Sequence, residues 1–119
     1  MKSLTVYQYP ACGTCRNAVK WLKAREAELE LIHIVDNPPS RETLASLIAR
    51  SGLDVRKFFN TSGEVYKSLQ LKDKLPGMSE KEMIDLLASN GKLIKRPIVT
   101  DGVRVTVGFK EDVFSQTWG

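Results

Sequence analysis

The sequence is poor in the side chains that bind structural metals, because its 119 residues include only two cysteines and one histidine. A structural zinc site takes about four cysteine or histidine ligands, and the single histidine, His33, stands in a strand-like run far along the sequence from either thiol. We interpret His33 as a packed or sheet-edge residue. The composition therefore predicts no metal site, and we expect no cofactor.

Long apolar segments are also missing. No stretch approaches the ~18 consecutive apolar residues of a membrane-spanning helix, and the opening residues, Met1 to Leu4, contain no apolar signal region. We expect a cytoplasmic protein without membrane contact. In that reducing compartment a disulfide is usually transient, catalytic or sensing, and a chain of this length builds a core without disulfide support.

Repeats, linkers and low-complexity tracts are absent as well, so we expect residues 1–119 to form one domain. The formal net charge of +4 and the pI of about 9.2 favour an anionic small molecule or an acidic protein as partner. The basic residues alternate with acidic ones, as in Lys72-Asp73-Lys74, and form no continuous stripe with aromatic residues. The sequence therefore predicts no direct binding of nucleic acid.

One motif carries chemistry. Cys12 and Cys15 are separated by Gly13-Thr14 and lie where a strand-like run, residues 4–9, gives way to a helical pattern. A Cys-x-x-Cys pair beside a βαβ pattern is typical of thioredoxin-like redox proteins. Because one helical turn separates the sulfurs, Cys15 can attack a mixed disulfide on Cys12 without a second molecular encounter. We assign Cys12 as the nucleophile and Cys15 as the resolving thiol.

The helix start favours the thiolate of Cys12 but does not suffice by itself. Lowering a thiol pKa from about 8.5 to about 6 requires roughly 3.4 kcal/mol, whereas a helix terminus supplies at most about 2 kcal/mol. A neighbouring cation or further hydrogen bonds to the sulfur must contribute the remainder. Arg16, which directly follows the motif, or an arginine brought in by the fold is the expected source.

Other interpretations of the two cysteines stay open. Cys15 shares a helical stripe with Ala18, Val19 and Leu22, and a cysteine on such a stripe is often simply a small buried hydrophobic residue. A permanent structural disulfide between the pair is disfavoured, because the loop that it closes is too short to remove much chain entropy.

Periodicity predicts how the chain begins. A strand over about residues 3–9 leads into the helix that carries the Cys15 stripe, and a second strand follows over residues 30–35. This second strand has apolar residues on both faces, so we expect it to be covered on both sides and to run parallel to the first strand in a βαβ unit.

A mostly helical insertion is expected next, over about residues 38–91. Ser40 is the predicted N-cap of a helix that ends at Gly52, and residues 79–82 (SEKE) form a capping box for another helix. Between them, residues 54–60 predict a short helix whose aromatic side chains fill the core.

Sheet structure then returns. Leu93-Ile94 and residues 98–100 predict strands, Asp101-Gly102 a two-residue hairpin turn, residues 103–109 a strand with one buried face, and residues 111–116 a final helix. The predicted architecture is an α/β, thioredoxin-like fold with a four-stranded mixed sheet. It is ordered as βαβ, helical insertion, β-hairpin and closing helix.

Four motifs, spread over most of the length, resemble those of a known family. They are residues 9–17 (YPACGTCRN), 37–41 (NPPSR), 69–71 (LQL) and 93–99 (LIKRPIV). With them the chain resembles the arsenate reductase-like family, a glutaredoxin-related group with a thioredoxin-like fold that also includes the Spx-type redox regulators. The Cys-x-x-Cys pair is similar to that of the Spx/MgsR-like subgroup.

The resemblance implies that Cys12 is the reactive cysteine, that Arg96 lies near it as the anion-binding arginine, and that the Arg96-Pro97 peptide bond is cis. We expect Arg96 and Arg16 to bind substrate, and Pro97 and Gly13-Thr14 to shape the site. A proline that merely opens a strand needs no function, and a surface arginine is the alternative for Arg96. A permanent forked cation suits a thiolate or an oxyanion, which favours the functional interpretation.

The chain also departs from the family's arsenate-reducing members. Those enzymes surround the cysteine with three arginines, and here Arg96 alone matches, since Asn60 and Phe109-Lys110 stand about where the other two belong. In addition, the position of Cys15 is commonly not a cysteine in the members that use glutathione. The resemblance therefore implies that this chain resolves its own intermediate.

The leading prediction is an intracellular thiol–disulfide oxidoreductase with a Cys12/Cys15 redox-active pair, reduced by thioredoxin, glutaredoxin or a low-molecular-weight thiol. An Spx-like redox-sensing transcriptional regulator that binds the RNA polymerase α subunit is the alternative, with Gly52 about where those regulators need a glycine at the contact. A genuine arsenate reductase is the third interpretation.

Overall fold

The computed structural model describes residues 3–119, so Met1 and Lys2, on which the prediction of no signal region partly rests, lie outside it. The described sheet has four strands in the order β2-β1-β3-β4, namely β1 (Ser3–Gln8), β2 (Glu28–His33), β3 (Ile98–Thr100) and β4 (Val105–Val107). β2 runs parallel to β1, whereas β3 is antiparallel to both β1 and β4. The predicted four-stranded mixed sheet is confirmed.

Helices cover both faces of this sheet. In chain order they are α1 (Gly13–Lys23), α2 (Arg41–Ser51), α3 (Glu64–Ser68), α4 (Leu71–Lys74), α5 (Glu80–Ser89) and α6 (Glu111–Trp118). Short 3-10 turns lie at Val55–Phe58, Leu75–Gly77 and Gly91–Leu93. The chain between β2 and β3 is thus mostly helical, as predicted. Within residues 3–119, no helix has the length and apolar character needed to cross a bilayer.

Two apolar cores hold the sheet in place. On one face α1 and α6 pack against β1 and β3, through Leu4, Val6, Ala18, Leu22, Val99, Phe114 and Trp118. The helical insertion covers the other face, with a core that includes Ile34, Leu44, Phe58, Phe59, Leu87, Ile94 and Ile98. Burying a large apolar side chain contributes about 1.5–3 kcal/mol. These contacts therefore fix β1 and α1, and with them the turn that carries the cysteines.

The helix boundaries in the insertion follow from their caps. The Ser40 hydroxyl accepts a hydrogen bond from the N–H of Thr43 at 3.2 Å. Ser79 and Glu82 form the reciprocal capping box at 2.9 and 3.1 Å. Gly52 ends α2 with φ +70°, in the left-handed region that glycine adopts without a Cβ penalty. All three predicted caps are confirmed.

The environment of β2 differs from the prediction. The strand spans Glu28–His33 and lies at the edge of the sheet, because β3 returns to the free side of β1 and leaves β1 in the interior. Leu31 is consequently 45% exposed. The expectation of a strand covered on both faces was wrong, whereas the predicted parallel pairing with β1 is confirmed.

The connection between β3 and β4 is also longer than predicted. Thr100 pairs with Val105, so residues 101–104 form the loop in place of a two-residue turn. The Asp101 carboxylate accepts hydrogen bonds from the backbone N–H groups of Val103 and Arg104, at 2.9 and 2.7 Å, and thereby stabilises the wider turn. Val103, expected on the buried face of the strand, is 75% exposed.

Leu93 and Ile94 were expected to form a strand, and this was wrong. Leu93 ends a 3-10 turn, and Ile94 makes a single antiparallel bridge to Phe59. The N–H of Asn60 donates to the carbonyl of Leu93 at 2.8 Å. The insertion thus holds the chain just before Arg96 by backbone hydrogen bonds instead of an extended ladder.

Gly91 tests how the insertion is seated against the sheet. It is buried, and a Cβ there would collide with the carbonyl of Ile34 and the Cα of Val35, just after β2. Since both neighbours are backbone, no rotamer change relieves the clash. We expect Gly91→Ala to lower the free energy of unfolding, measured by urea denaturation, by about 1–3 kcal/mol.

Gly77→Ala is the matched control, because nothing lies within 4 Å of a Cβ at that position. Its free energy of unfolding should stay within about 0.5 kcal/mol of the parent value. Equal stability of the two variants would contradict the contact at Gly91.

Candidate active site at Cys12

Cys12 occupies the N-cap position of α1, at the end of the turn that follows β1. Its backbone is extended, with φ −89° and ψ 120°. Its N–H donates to the carbonyl of Tyr9 at 2.9 Å, and its carbonyl accepts the N–H of Arg16 at 3.1 Å. The side chain is half-buried and the thiol is free. A partly exposed sulfur is therefore held rigidly at a helix N-terminus.

Cys15 lies one turn further along α1 and is fully buried. The apolar stripe that it shares with Ala18 and Leu22 turns it toward the sheet. Its Sγ accepts a hydrogen bond from the backbone N–H of Tyr9 at 3.5 Å. Cys15 is likewise a free thiol, so the pair is in the dithiol state.

Arg96 reaches the site from the segment before β3. The Arg96-Pro97 peptide bond is cis, as the resemblance implied, and Pro97 is buried. The guanidinium carbon of Arg96 lies 5.0 Å from the centre of the Tyr9 ring, and its Nη1 donates to the carbonyl of Lys92 at 3.4 Å. An aromatic face and a carbonyl therefore orient this cation beside Cys12.

The surroundings lower the pKa of Cys12. Partial burial opposes the charged form, but hydrogen bonds from the Cys15 N–H and S–H and from the Arg96 guanidinium, together with the Arg96 charge, outweigh it. The hydrogen bond from the Cys15 N–H to the Cys12 sulfur is weaker than the serine cap at Ser40, because its geometry falls short of a full N-cap bond. The cation that sequence reasoning required is Arg96.

The pKa of Cys15 moves in the opposite direction, to about 12. Burial is the main cause, and the hydrogen bond and negative charge of Cys12 add to it. The Tyr9 N–H and the charge of Arg96 oppose the rise. At neutral pH Cys12 is thus the sulfur that ionises first, while Cys15 stays a thiol.

A cavity of ≈290 Å³ opens in front of Cys12. No acidic residue lines it. The lining residues are Cys12, Thr14, Asn60, Ser62, Lys95, Arg96, Val107, Gly108, Phe109 and Lys110. Lys95 and Lys110 flank Arg96 with two more positive charges. The cavity therefore suits a substrate with an anionic group close to the reacting atoms.

Sequence reasoning did not single out Lys95, although it directly precedes Arg96. Its stem packs on Gly108, whose φ is +79° and where a Cβ would lie 2.9 Å from the Lys95 Cε. Asn60 and Lys110, noted as departures from arginine, do line the cavity with Arg96. Only the fold shows that these separate segments face one space.

The structure does not bring Arg16 into this cavity. Its Nη1 donates to the carbonyl of Pro10 at 2.9 Å, and its side chain lines a different groove, between α1 and β2. Thr14 lines the Cys12 cavity, whereas Gly13 is exposed in the first turn of α1. A Cβ at Gly13 would make only ordinary contact, 3.7 Å from Arg16 Nη2.

His33 is packed at the end of β2, as predicted. Its Nδ1 accepts the backbone N–H groups of Val35 and Asp36, at 3.3 and 3.1 Å, and its ring stands edge-on to Tyr9 at 5.5 Å between centroids. Within residues 3–119, no group of three or more His, Cys, Asp or Glu side chains is arranged to hold a metal ion.

The opposed pKa values predict selective alkylation. The thiolate is the reactive form, so the alkylation rate of Cys12 should fall as the pH drops through a pKa that lies below the ordinary range of a thiol. Cys15 should stay unmodified in the folded protein, since its pKa is about 12 and its side chain is buried. Iodoacetamide labelling followed by mass spectrometry across pH 5–10, with the urea-unfolded chain as control, measures both rates.

Arg96→Gln should raise the pKa of Cys12, because it removes a donor and a positive charge from the sulfur. We expect its alkylation rate at pH 7 to fall several-fold. Arg16→Gln is the matched control, since Arg16 faces the other groove and should leave the profile unchanged. A larger effect of Arg16→Gln would contradict this assignment.

Comparison with known proteins finds relatives that match most of the chain. The ArsC family model matches residues 7–117. The chain is 60% identical to YusI of Bacillus subtilis (strain 168) over 116 residues, which is 98% of both chains. An arsenate reductase of Acidiphilium multivorum is 37% identical, covering 83% of this chain and 69% of that protein. The global transcriptional regulator Spx of Streptococcus pyogenes is 31% identical, covering 92% and 80%.

The fold is shared with solved structures. The crystal structure of an ArsC family related protein from Bacteroides fragilis superposes with a TM-score of 0.92 and 52% identity, and covers 98% of this chain and 97% of that one. This confirms the predicted thioredoxin-like fold. With the family match over most of its length, the chain belongs to the ArsC family.

Proposed function

We propose that the protein is a thiol–disulfide oxidoreductase in which Cys12 is the nucleophile and Cys15 the resolving thiol. The observation that carries the proposal is the opposed perturbation of two thiols one helical turn apart: the half-buried Cys12 has a lowered pKa and the buried Cys15 a raised one. Such a pair performs two attacks in a set order.

In the first step the Cys12 thiolate attacks one sulfur of a substrate disulfide. A bond forms between Cys12 and that sulfur, the substrate S–S bond breaks, and the departing thiolate takes the electron pair and then a proton from solvent. Arg96, Lys95 and Lys110 face the reacting atoms. Their positive charges stabilise the negative charge that develops on the leaving sulfur.

The second step depends on a change at Cys15. Once Cys12 is in a mixed disulfide it carries no charge, so its contributions that raise the pKa of Cys15 disappear. The Tyr9 N–H and the Arg96 charge, which lower that pKa, remain. Burial, the main cause of the raised pKa, persists at Cys15, so Cys15 gives up its proton, finally to solvent, only as it attacks the Cys12 sulfur.

This attack forms the Cys12–Cys15 disulfide and releases the second substrate thiolate. The substrate has gained two electrons and two protons, and the protein pair has lost them. A dithiol protein such as thioredoxin or glutaredoxin, or a low-molecular-weight thiol, restores the reduced pair by the reverse exchange. The cycle suits a reducing compartment, where protein disulfides are transient.

Glutathione disulfide tests this order of events. The parent protein should react to an internal disulfide, recognised as the loss of two hydrogens in intact mass. Cys15→Ser should instead accumulate the Cys12–glutathione adduct, because no second sulfur is available to displace it. Cys12→Ser is the matched control and should remain unmodified, since Cys15 is buried and protonated.

Adduct formation on Cys15 in the Cys12→Ser variant would reverse the assignment. Absence of any adduct in Cys15→Ser over the same time would contradict a reactive Cys12.

A redox-sensing regulator is a second candidate, favoured by the similarity to Spx over 92% of this chain. In this proposal the Cys12–Cys15 disulfide alters a contact surface for the α subunit of RNA polymerase. Two results would favour the regulator: a single oxidation without turnover, and binding to the purified C-terminal domain of the RNA polymerase α subunit that changes with the redox state of the pair. Sustained turnover with a reductant and no such binding would favour the oxidoreductase.

Arsenate reduction is a third candidate, favoured by 37% identity to an arsenate reductase. Lys95, Arg96 and Lys110 provide positive charge for an oxyanion beside Cys12. Lysine is a point charge and lacks the fork with which arginine holds an oxyanion in two places, and Asn60 is neutral. Arsenate-dependent consumption of a reduced thiol system measures this activity directly.

A further inference from the structure

The second surface beside the cysteine turn is a groove between α1 and β2, with a volume of ≈660 Å³. We call it the α1–β2 groove and define it by Arg16, Lys20 and Lys23 on its rim and Val19 and Leu31 on its floor. It is separate from the cavity of Lys95, Arg96 and Lys110, and the proposed chemistry makes no use of it.

The charged lining of the α1–β2 groove is entirely positive. Arg16, Lys20 and Lys23 follow each other along one face of α1, at spacings of four and three residues. Lys20 and Lys23 form no ion pair with any residue between 3 and 119, and Arg16 is bonded to a backbone carbonyl. The groove thus offers three cations without an internal counter-charge.

The floor of the α1–β2 groove is aliphatic. Leu31 is 45% exposed, and it lies beside Val19 and Ala24. Its exposure follows from the position of β2 at the sheet edge, where no further strand covers it in the described part of the chain. An occupant that fits this surface needs both negative charge and an apolar side chain.

The groove is continuous with the reactive turn. Pro10, two residues before Cys12, lines its near end, where its carbonyl accepts the Arg16 guanidinium. The rim from Arg16 to Lys23 spans about 10 Å at ~1.5 Å per helical residue. About three residues of extended peptide, at ~3.3 Å each, cover that distance.

We propose that the α1–β2 groove binds an acidic extended segment of the protein whose disulfide reacts at Cys12. Carboxylates of the segment pair with Arg16, Lys20 and Lys23, and an apolar residue packs on Leu31. A protein is favoured over nucleic acid because the groove lining contains no aromatic side chain on which bases could stack. The partner's reaction rests on the proposed function, whereas its binding to the groove does not.

A thiol-free test isolates binding from chemistry. The probe is a fluorescein-labelled peptide that alternates glutamate with leucine, compared by anisotropy at low salt with the same peptide carrying glutamine for glutamate. We expect the parent protein to bind the glutamate peptide about tenfold more tightly than the glutamine peptide. In the double variant Lys20→Gln/Lys23→Gln, this ratio of affinities should shrink to below about twofold. The matched control, Lys72→Gln/Lys74→Gln on α4, removes the same charge elsewhere and should retain the preference.

Equal loss in both double variants would overturn the proposal, because net charge alone would then explain binding. Displacement of the peptide by a single-stranded oligonucleotide that binds more tightly would overturn it in favour of nucleic acid. Leu31→Ser should weaken binding of the leucine-containing peptide but not of an alternating glutamate–glycine peptide. Equal weakening of both would contradict the role of the floor.

A second measurement connects the groove to Cys12. Each of the two peptides, with glutamate or with glutamine, is extended by a cysteine that is activated as a mixed disulfide. The rate at which this disulfide reacts with the protein is measured at low salt. The glutamate probe should react about tenfold faster, and Lys20→Gln/Lys23→Gln should remove that advantage while leaving the rate with a small uncharged disulfide unchanged. If the small disulfide does not react, the proposed function is contradicted. If it reacts but the glutamate probe is no faster than the glutamine probe, only the proposed role of the groove is contradicted.

Discussion

The site depends on the hydrogen bonding of one short turn, residues 9–12, between β1 and α1. The Tyr9 carbonyl holds the Cys12 N–H at 2.9 Å, and the Tyr9 N–H reaches the buried Cys15 sulfur at 3.5 Å. The Tyr9 ring lies against the Arg96 guanidinium. Tyr9, directly after the central strand β1, thus contacts the Cys12 backbone, the Cys15 sulfur and the Arg96 guanidinium. The position of this strand in the sheet therefore sets how the two cysteines and the cation lie relative to one another.

The asymmetry between the thiols follows from this placement. Partial burial of Cys12 costs its thiolate less than full burial costs that of Cys15. Donors from Cys15 and Arg96 favour the Cys12 thiolate, whereas the Cys15 sulfur accepts only the Tyr9 N–H among the described residues. Burial raises the pKa of Cys15, and the negative charge on Cys12 raises it further. In the proposed mechanism this difference in burial, together with the electrostatic coupling across one helical turn, sets the order of the two attacks.

Cys12 also lies between two positively charged surfaces of different construction. In the cavity, Lys95 and Arg96 come from the chain before β3 and Lys110 from the chain after β4, and the space has room for an anionic group at the reacting atoms. The α1–β2 groove is larger and has an apolar floor. In the two proposals, the cavity binds the reacting group and the groove binds a longer acidic segment.

Local sequence patterns determined the features that short-range forces control. The capping residues Ser40 and Ser79, the left-handed end of α2 at Gly52 and the position of Cys12 at a helix start all depend on neighbours within four residues, and the sequence predicted each of them. Alternation and periodicity likewise predicted the two halves of the sheet and the helical insertion. The loop at Asp101 was missed because its carboxylate bonds two backbone N–H groups beyond the expected turn.

Tertiary structure alone decided which charges meet the sulfur and which strand stays open. From helix electrostatics, Arg16 and an arginine elsewhere in the fold were both open as the source of positive charge for Cys12, and only the family resemblance implied Arg96. In the structure the Pro10 carbonyl holds Arg16, while the segment before β3 brings Arg96 to the site. The apolar pattern of β2 predicted burial, but the return of β3 to the other side of β1 left Leu31 exposed. Periodicity records which side chains are apolar, whereas neighbours distant in the chain determine what covers them.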